Sequence, residues 1–226
     1  MVAGGLGYSV DELLASPRPA TFSTGVEWID QLTGGIGPGE VWAVIGATGV
    51  GVTTFVRRLS VAAAQSGVVI LANGHVSSRD LAKSIAYGVV PSDGCDPPAA
   101  TPQIASWLPL PTLGTDVWDG ACEQADVVVL DTWDEMWRPH DWARSREERI
   151  ANARWLREVA RSADTAVVLT ARLPRSQPSE PHWAGEGFDD VADVTIVLEQ
   201  EPDTPWRLAT VRRRGGGSRR DRVPIG

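Results

Sequence analysis

The sequence predicts an α/β domain with a mainly parallel central sheet flanked by helices, and three observations predict it. Gly46, then Gly51 after four intervening residues, then Thr53 have the spacing of a phosphate-binding P-loop, with Val52 where that pattern has lysine. The apolar run 40–45 ahead of it reads as a buried strand and 53–65 behind it as a helix, the context a P-loop requires. Further on, short apolar runs alternate with helical patterns and end in a closing series of strands, the order of an α/β sheet with a parallel core.

In chain order, 1–21 is a Gly- and Pro-punctuated leader with one short helical candidate at 10–15, and 22–226 is the P-loop domain. Residues 24–40 read as a helical turn and a glycine-rich turn that deliver the chain into the P-loop strand. Gly67 stops the P-loop helix, and the apolar run 68–72 is the second strand. A helix over 78–87, a proline-rich loop over 91–102, a weak strand at 104–108 and a short helix at 116–124 follow. The clearest strand is 126–131, where Val127, Val128, Val129 and Leu130 end on Asp131. Over 146–163, Ile150, Ala153, Leu156, Val159 and Ala160 have the spacing of an amphipathic helix. Strands at 166–170, 194–198 and 206–211 complete the set.

A chain of 226 residues with 42% hydrophobic content can bury one full core. It has no apolar run near the ~20 residues that span a bilayer and no charged-then-apolar leader, so neither membrane nor export is indicated and the cytoplasm is the default. Cys95 and Cys122 make no disulfide framework, and His75, His140 and His182 are too scattered to argue for a metal. A net charge of −8 argues against a protein that coats nucleic acid with its whole surface. Arg212, Arg213, Arg214, Arg219, Arg220 and Arg222 nevertheless cluster at the end, for which the plainest reading is a solvated basic tail. Lys83 is the only lysine; a preference for arginine would have put arginine, not valine, at position 52. Trp133, Trp137 and Trp142 mark either a protein interface or a stacking surface for bases.

The phosphate chemistry follows from the loop. Gly46, Gly49, Gly51, Val52, Thr53 and Thr54 offer backbone N–H groups and a helix N-terminus to the phosphates of a nucleotide such as ATP. Thr53 can reach a magnesium ion, and Asp131, at a strand end, converges with Gly46 on the crevice where α/β sheets bind ligands. Without the lysine, the charge that spans the terminal phosphates is missing, so hydrolysis is expected to be weakened or lost.

Thr24, Gly25, Asp30, Leu32, Thr33, Gly34, Gly35, Pro38, Gly39 and Glu40 followed by the P-loop, then 77–81, Asp131, 169–175, 189–194 and 211–216 in order, resemble the RecA-like motor domain of DnaB-type replicative helicases. The resemblance covers about residues 21 to 226 and implies a RecA-like P-loop NTPase fold with a degenerate Walker A motif. It places the arginine fingers that reach a neighbouring subunit's nucleotide at Arg212 and Arg214, and the magnesium ligands at Thr53 and Asp131. It also aligns the water-polarising glutamate with His75 and the glutamine that senses the terminal phosphate with Arg172, so three positions at the catalytic centre are replaced. Of the family's separate N-terminal helical domain, only the leader is expected here.

The implied protein is a catalytically impaired helicase-like subunit that binds ATP and magnesium weakly or not at all and assembles with itself or with a related ATPase in DNA replication or repair. The alternatives are an ATPase or helicase with substitute residues, Arg172 standing in for the lysine, and a scaffold that has lost the ligand. The family's channel loop matches 174–187, where Arg175 is offset by Glu180 and Glu186. Single-stranded DNA is therefore expected to bind weakly, through Arg175, Arg219, Arg220 and Arg222.

Overall fold

The computed structural model describes residues 20–73, 103–106, 115–131, 146–173, 191–201, 204 and 206–223. The expected helices at 10–15 and 78–87, His75, Arg175 and tryptophans 133, 137 and 142 lie outside them. In order, the elements are α1 (Glu27–Thr33), β1 (Val41–Ala47), α2 (Val52–Ala63), β2 (Val69–Asn73), β3 (Gln103–Ser106), α3 (Thr115–Gln124), β4 (Val127–Asp131), α4 (Arg146–Ala163), β5 (Ala166–Leu173), β6 (Val194–Gln200), β7 (Arg207–Arg213) and β8 (Ser218–Val223).

The strands form one sheet in the order β3-β2-β4-β5-β1-β6-β7-β8. The first six are parallel, and β7 and β8 extend the sheet antiparallel. Residues 41–46 of β1 are all buried, as a central parallel strand covered on both faces must be. Alternation sorts its side chains: Trp42 and Val44 join the core with Phe55, Val56, Leu59 and Ala63 of α2, while Val41, Ala43 and Ile45 meet Ala153, Leu156 and Ala160 of α4. The result is a sheet between two helical layers. Its parallel strands point their carboxyl ends to one edge, where the β1–α2 turn lies.

Two acids tie the other edge. Asp126 Oδ2 accepts from the Val68 amide at 2.7 Å and Asp193 Oδ2 from the Val41 amide at 3.0 Å, satisfying donors at strand starts that no ladder reaches. A Cβ at Gly67 would collide with the Phe22 ring and stand 2.9 Å from Asp126 Oδ2. Gly67→Ala is therefore expected to lower stability by about 1–3 kcal/mol, read from the urea midpoint.

The long helix and most strands fall where the sequence places them, and one expectation is corrected. Ser218–Val223 is not a solvated tail but the eighth strand, running antiparallel to β7. Its arginines hide the strand from a hydrophobic pattern, because Val223 is its only buried residue. Acids on β6 and just beyond it supply the missing cohesion: Arg220 pairs with Glu199 at 2.9 Å and Arg222 with Glu201 at 2.7 Å. The Arg222 guanidinium holds the Glu201 carboxyl below the usual range, so this contribution is present at neutral pH and is lost as the pH falls through the carboxylate range. Among the described residues no helix is long and apolar enough to cross a membrane.

Candidate nucleotide site

The site is built on three neighbouring strands: Asn73 and Asp131 are the last residues of β2 and β4, and Thr170 lies within β5. Leu71, Val129 and Val168 face α2, so by alternation Asn73, Asp131 and Thr170, two residues on in each case, face it too. They meet at Asp131, which is 1% exposed. Its Oδ1 accepts from the Thr53 hydroxyl at 3.1 Å and the Thr170 hydroxyl at 3.2 Å, and its Oδ2 accepts from Asn73 Nδ2 at 2.9 Å. Arg57, one turn along α2 from Thr53, adds a positive charge. Burial pushes the pKa of its guanidinium down from the ordinary arginine value while the Asp131 carboxylate opposes the shift.

The loop between β1 and α2 carries the phosphate geometry. Gly51, with φ 102°, starts α2 without a side-chain cap and with no acid in the first turn. The first N–H groups of α2, at Val52, Thr53 and Thr54, thus lie at an uncapped helix end, where the partial positive charge favours an anion. Ala47, Thr48 and Gly49 are exposed at the tip, whereas Val50 is 5% exposed and anchors the loop in the core. The Val50 amide donates to the Ala47 carbonyl at 3.1 Å, and its carbonyl accepts from Arg207 Nε at 2.8 Å.

Val52 is folded inward. A Cβ on Gly46 would stand 2.8 Å from Val52 Cγ2, and Val52 packs against the apolar core on the α2 face. A lysine would extend a cation from this position; valine extends none. Magnesium fits the oxygens that remain, because the Thr53 hydroxyl and Asp131 carboxylate lie side by side and are hard ligands. Among the described residues no group of three or more His, Cys, Asp or Glu could hold a metal alone, so such an ion would share its coordination with phosphate oxygens and water.

The structure brings Gly46, Gly49, Gly51, Val52, Thr53, Thr54 and Asp131 together. Arg172 is exposed and sits in register with Gly46 on the neighbouring strand, on the α2 face by alternation. Arg212 and Arg214 are far from this chain's own P-loop: β7 is antiparallel to β6, with Arg213 opposite Val194 at the start of that strand. Arg214 Nε donates to the Ala192 carbonyl at 3.2 Å. Arg219, Arg220 and Arg222 lie on β8, each in an ion pair, and Arg219 also stands over the Trp28 ring at 5.2 Å.

Four further residues of the site escape the sequence reading. Asn73 ends an apolar strand with a polar residue, as Asp131 does, and Thr170 follows four apolar residues within β5, a shared pattern that could have found them. Arg57 follows Thr53 by one helical turn, which spacing alone could have suggested. Arg207 carries no local signal; only the pairing of β7 with β6 brings it to the loop.

No protein-family model matches the chain, and no curated protein does. Among solved structures it is similar to a helicase ATPase domain, with a TM-score of 0.74 and 13% identity over 96% of this chain and 99% of that one. A DnaB-like replicative helicase, solved with attention to its interactions with primase, gives a TM-score of 0.72 and 13% identity over 95% of this chain and 63% of that one. The RadB recombinase gives 0.63 and 18% over 91% and 97%. At these identities the likeness is one of fold, and the fold is the RecA-like ATPase fold.

Proposed function

We propose that this chain is a catalytically impaired, helicase-like subunit that binds nucleotide at its P-loop without hydrolysing it and assembles with itself or with an active relative in DNA replication or repair. The observation that carries this reading is the contrast within one site: Thr53 and Asp131 still form a hydroxyl–carboxylate pair at 3.1 Å, while Val52 turns its methyl groups toward Gly46 and supplies no charge. Amides of Gly49 and of Gly51 to Thr54 would hold the phosphates, and Thr53 and Asp131 the magnesium. When bound, that ion would neutralise phosphate charge. No base has been identified among the described residues to activate water, and His75 stands where the resembling family has its glutamate.

Arg212 and Arg214 support assembly through their position. At the end of the sheet away from their own P-loop, they are too distant to serve a nucleotide bound there, so as arginine fingers they would act on a nucleotide held by another subunit. Self-association, or recovery of a related ATPase by pull-down, is expected; a strict monomer by light scattering with no recovered partner would count against it. DNA binding is expected to be weak and salt-sensitive, because Arg219, Arg220 and Arg222 are already paired with acids.

A second reading, a working ATPase with substitute residues, draws on the register of Arg172 beside Gly46. Titration of the full chain with ATP and magnesium, followed by a turnover assay with and without single-stranded DNA, separates the two. Affinity without turnover supports the first reading, turnover supports the second, and no affinity rejects both in favour of a scaffold.

A further inference from the structure

At the edge of the sheet away from the P-loop, a cleft of about 390 Å³ opens between the start of β1, the end of α4 and the β7–β8 turn, walled by Glu40, Asp164, Asp193, Arg161, Arg213 and Arg214. Two of its three acids are committed inward. The Glu40 carboxylate accepts from the Gly37 amide at 3.0 Å, Trp42 Nε1 at 2.9 Å and Arg213 Nη2 at 3.1 Å. Asp193 accepts from the Val41 amide at 3.0 Å and from Arg157 Nη2 at 2.8 Å, with Arg214 Nε at 4.0 Å. Arg213 and Arg214 remain 40% and 38% exposed. Arg161 is exposed and has no acid partner among the described residues.

Four guanidiniums, counting Arg157 behind the wall, thus face three carboxylates. Burial pushes the pKa of Arg157 down from the ordinary arginine value; Asp193 opposes the shift, and the nearby Arg214 and Arg161 charges add to it. The remaining acid, Asp164, is exposed, with left-handed backbone geometry.

We propose that this cleft is a second ligand site, distinct from the nucleotide site, that binds a small phosphate-bearing molecule through Arg161, Arg213 and Arg214. The guanidinium fork matches phosphate oxygens in pairs, and three forks suit a group with several acceptors and more than one negative charge. The volume falls at the lower end of small-ligand sites, ~300–1,000 Å³. Gly46 lies six residue steps along the strand from Glu40, roughly 20 Å at ~3.3 Å per residue, so one small ligand cannot span both sites.

The test is calorimetric titration of the full chain with pyrophosphate in the absence of magnesium. Gly49→Asp places a carboxylate at the P-loop mouth, where no atom lies within 4 Å of the added Cβ, and is expected to leave cleft binding intact. Arg161→Gln should weaken binding by about tenfold or more, the equivalent of one charge-assisted contact. Asp164→Asn should tighten it by removing a like charge. Should Arg161→Gln unfold, Arg161→Lys keeps the charge without the fork and is expected to bind with intermediate strength. Binding that Gly49→Asp abolishes and Arg161→Gln spares would mean that the P-loop took the probe, overturning the inference. Absence of binding overturns it as well, as does capture of an acidic peptide, dependent on Arg161, where pyrophosphate fails.

Discussion

The purified full chain, given ATP and magnesium, is expected to hydrolyse ATP at or near background, with or without single-stranded DNA. The physical reason is the loss of preorganised charge. Phosphoryl transfer leaves little covalent work to a protein, so its rate depends on groups that hold the phosphates and stabilise charge as the terminal bond breaks. Here the position of the clamp carries a valine folded over Gly46, and His75 stands where the resemblance to the helicase family implies the water activator. Each such loss typically costs on the order of 100-fold or more. Val52→Lys alone is expected to tighten ATP binding by about tenfold, the worth of one charge-assisted contact, and to leave turnover near background because His75 is unchanged. Turnover of about 1 s⁻¹, a rate ordinary enzymes reach, that disappears on Asp131→Ala would overturn the expectation and point to Arg172 as a working substitute.

How far the sequence reveals this site depends on which forces are local. The run 127–130 and the periodicity of Arg146–Ala163 are consequences of burial, and burial leaves a pattern in the chain itself. Gly46, Gly51 and Thr53 are legible for a similar reason: a loop that wraps an anion needs glycine at fixed spacing, and Gly51 does adopt a φ of 102°. Strand order is different. That β1 lies between β5 and β6 is set by packing of distant segments, and with it the arrival of Arg172 beside Gly46 and of Arg207 at Val50. The eighth strand is invisible in the sequence because its stability comes from acids on β6 and just beyond it and not from an apolar face of its own. Composition presents the arginines of that strand as available to DNA; Asp221 is Arg219's neighbour in the chain itself, but Glu199 and Glu201 come beside Arg220 and Arg222 only once the sheet is assembled.

Asp131→Ala is expected to lower stability by about 2–4 kcal/mol, a loss of fold stability at a position usually discussed for its metal. The carboxylate is 1% exposed and accepts three side-chain hydrogen bonds, from Thr53, Thr170 and Asn73. Removing it takes an acceptor from the amide of the buried Asn73 and leaves Arg57 without the negative charge that opposes its desolvation. Hydroxyl groups can turn to other acceptors, but the Asn73 amide is fixed at a strand end, so part of the penalty cannot relax. Asp131→Asn separates charge from packing: it preserves volume and one acceptor for the two threonines while opposing two amides across the Asn73 contact, and should cost less, about 1–2 kcal/mol. Urea unfolding of both variants, with circular dichroism as the probe, measures the difference. If nucleotide binds, the same substitutions should remove the part of the affinity that depends on magnesium and spare the part carried by the backbone amides of α2. An Asp131→Ala protein as stable as the original would mean that the buried carboxylate is retained at a cost to the fold, as expected of a group kept for its metal alone and not of one that joins its two neighbouring strands to the P-loop helix.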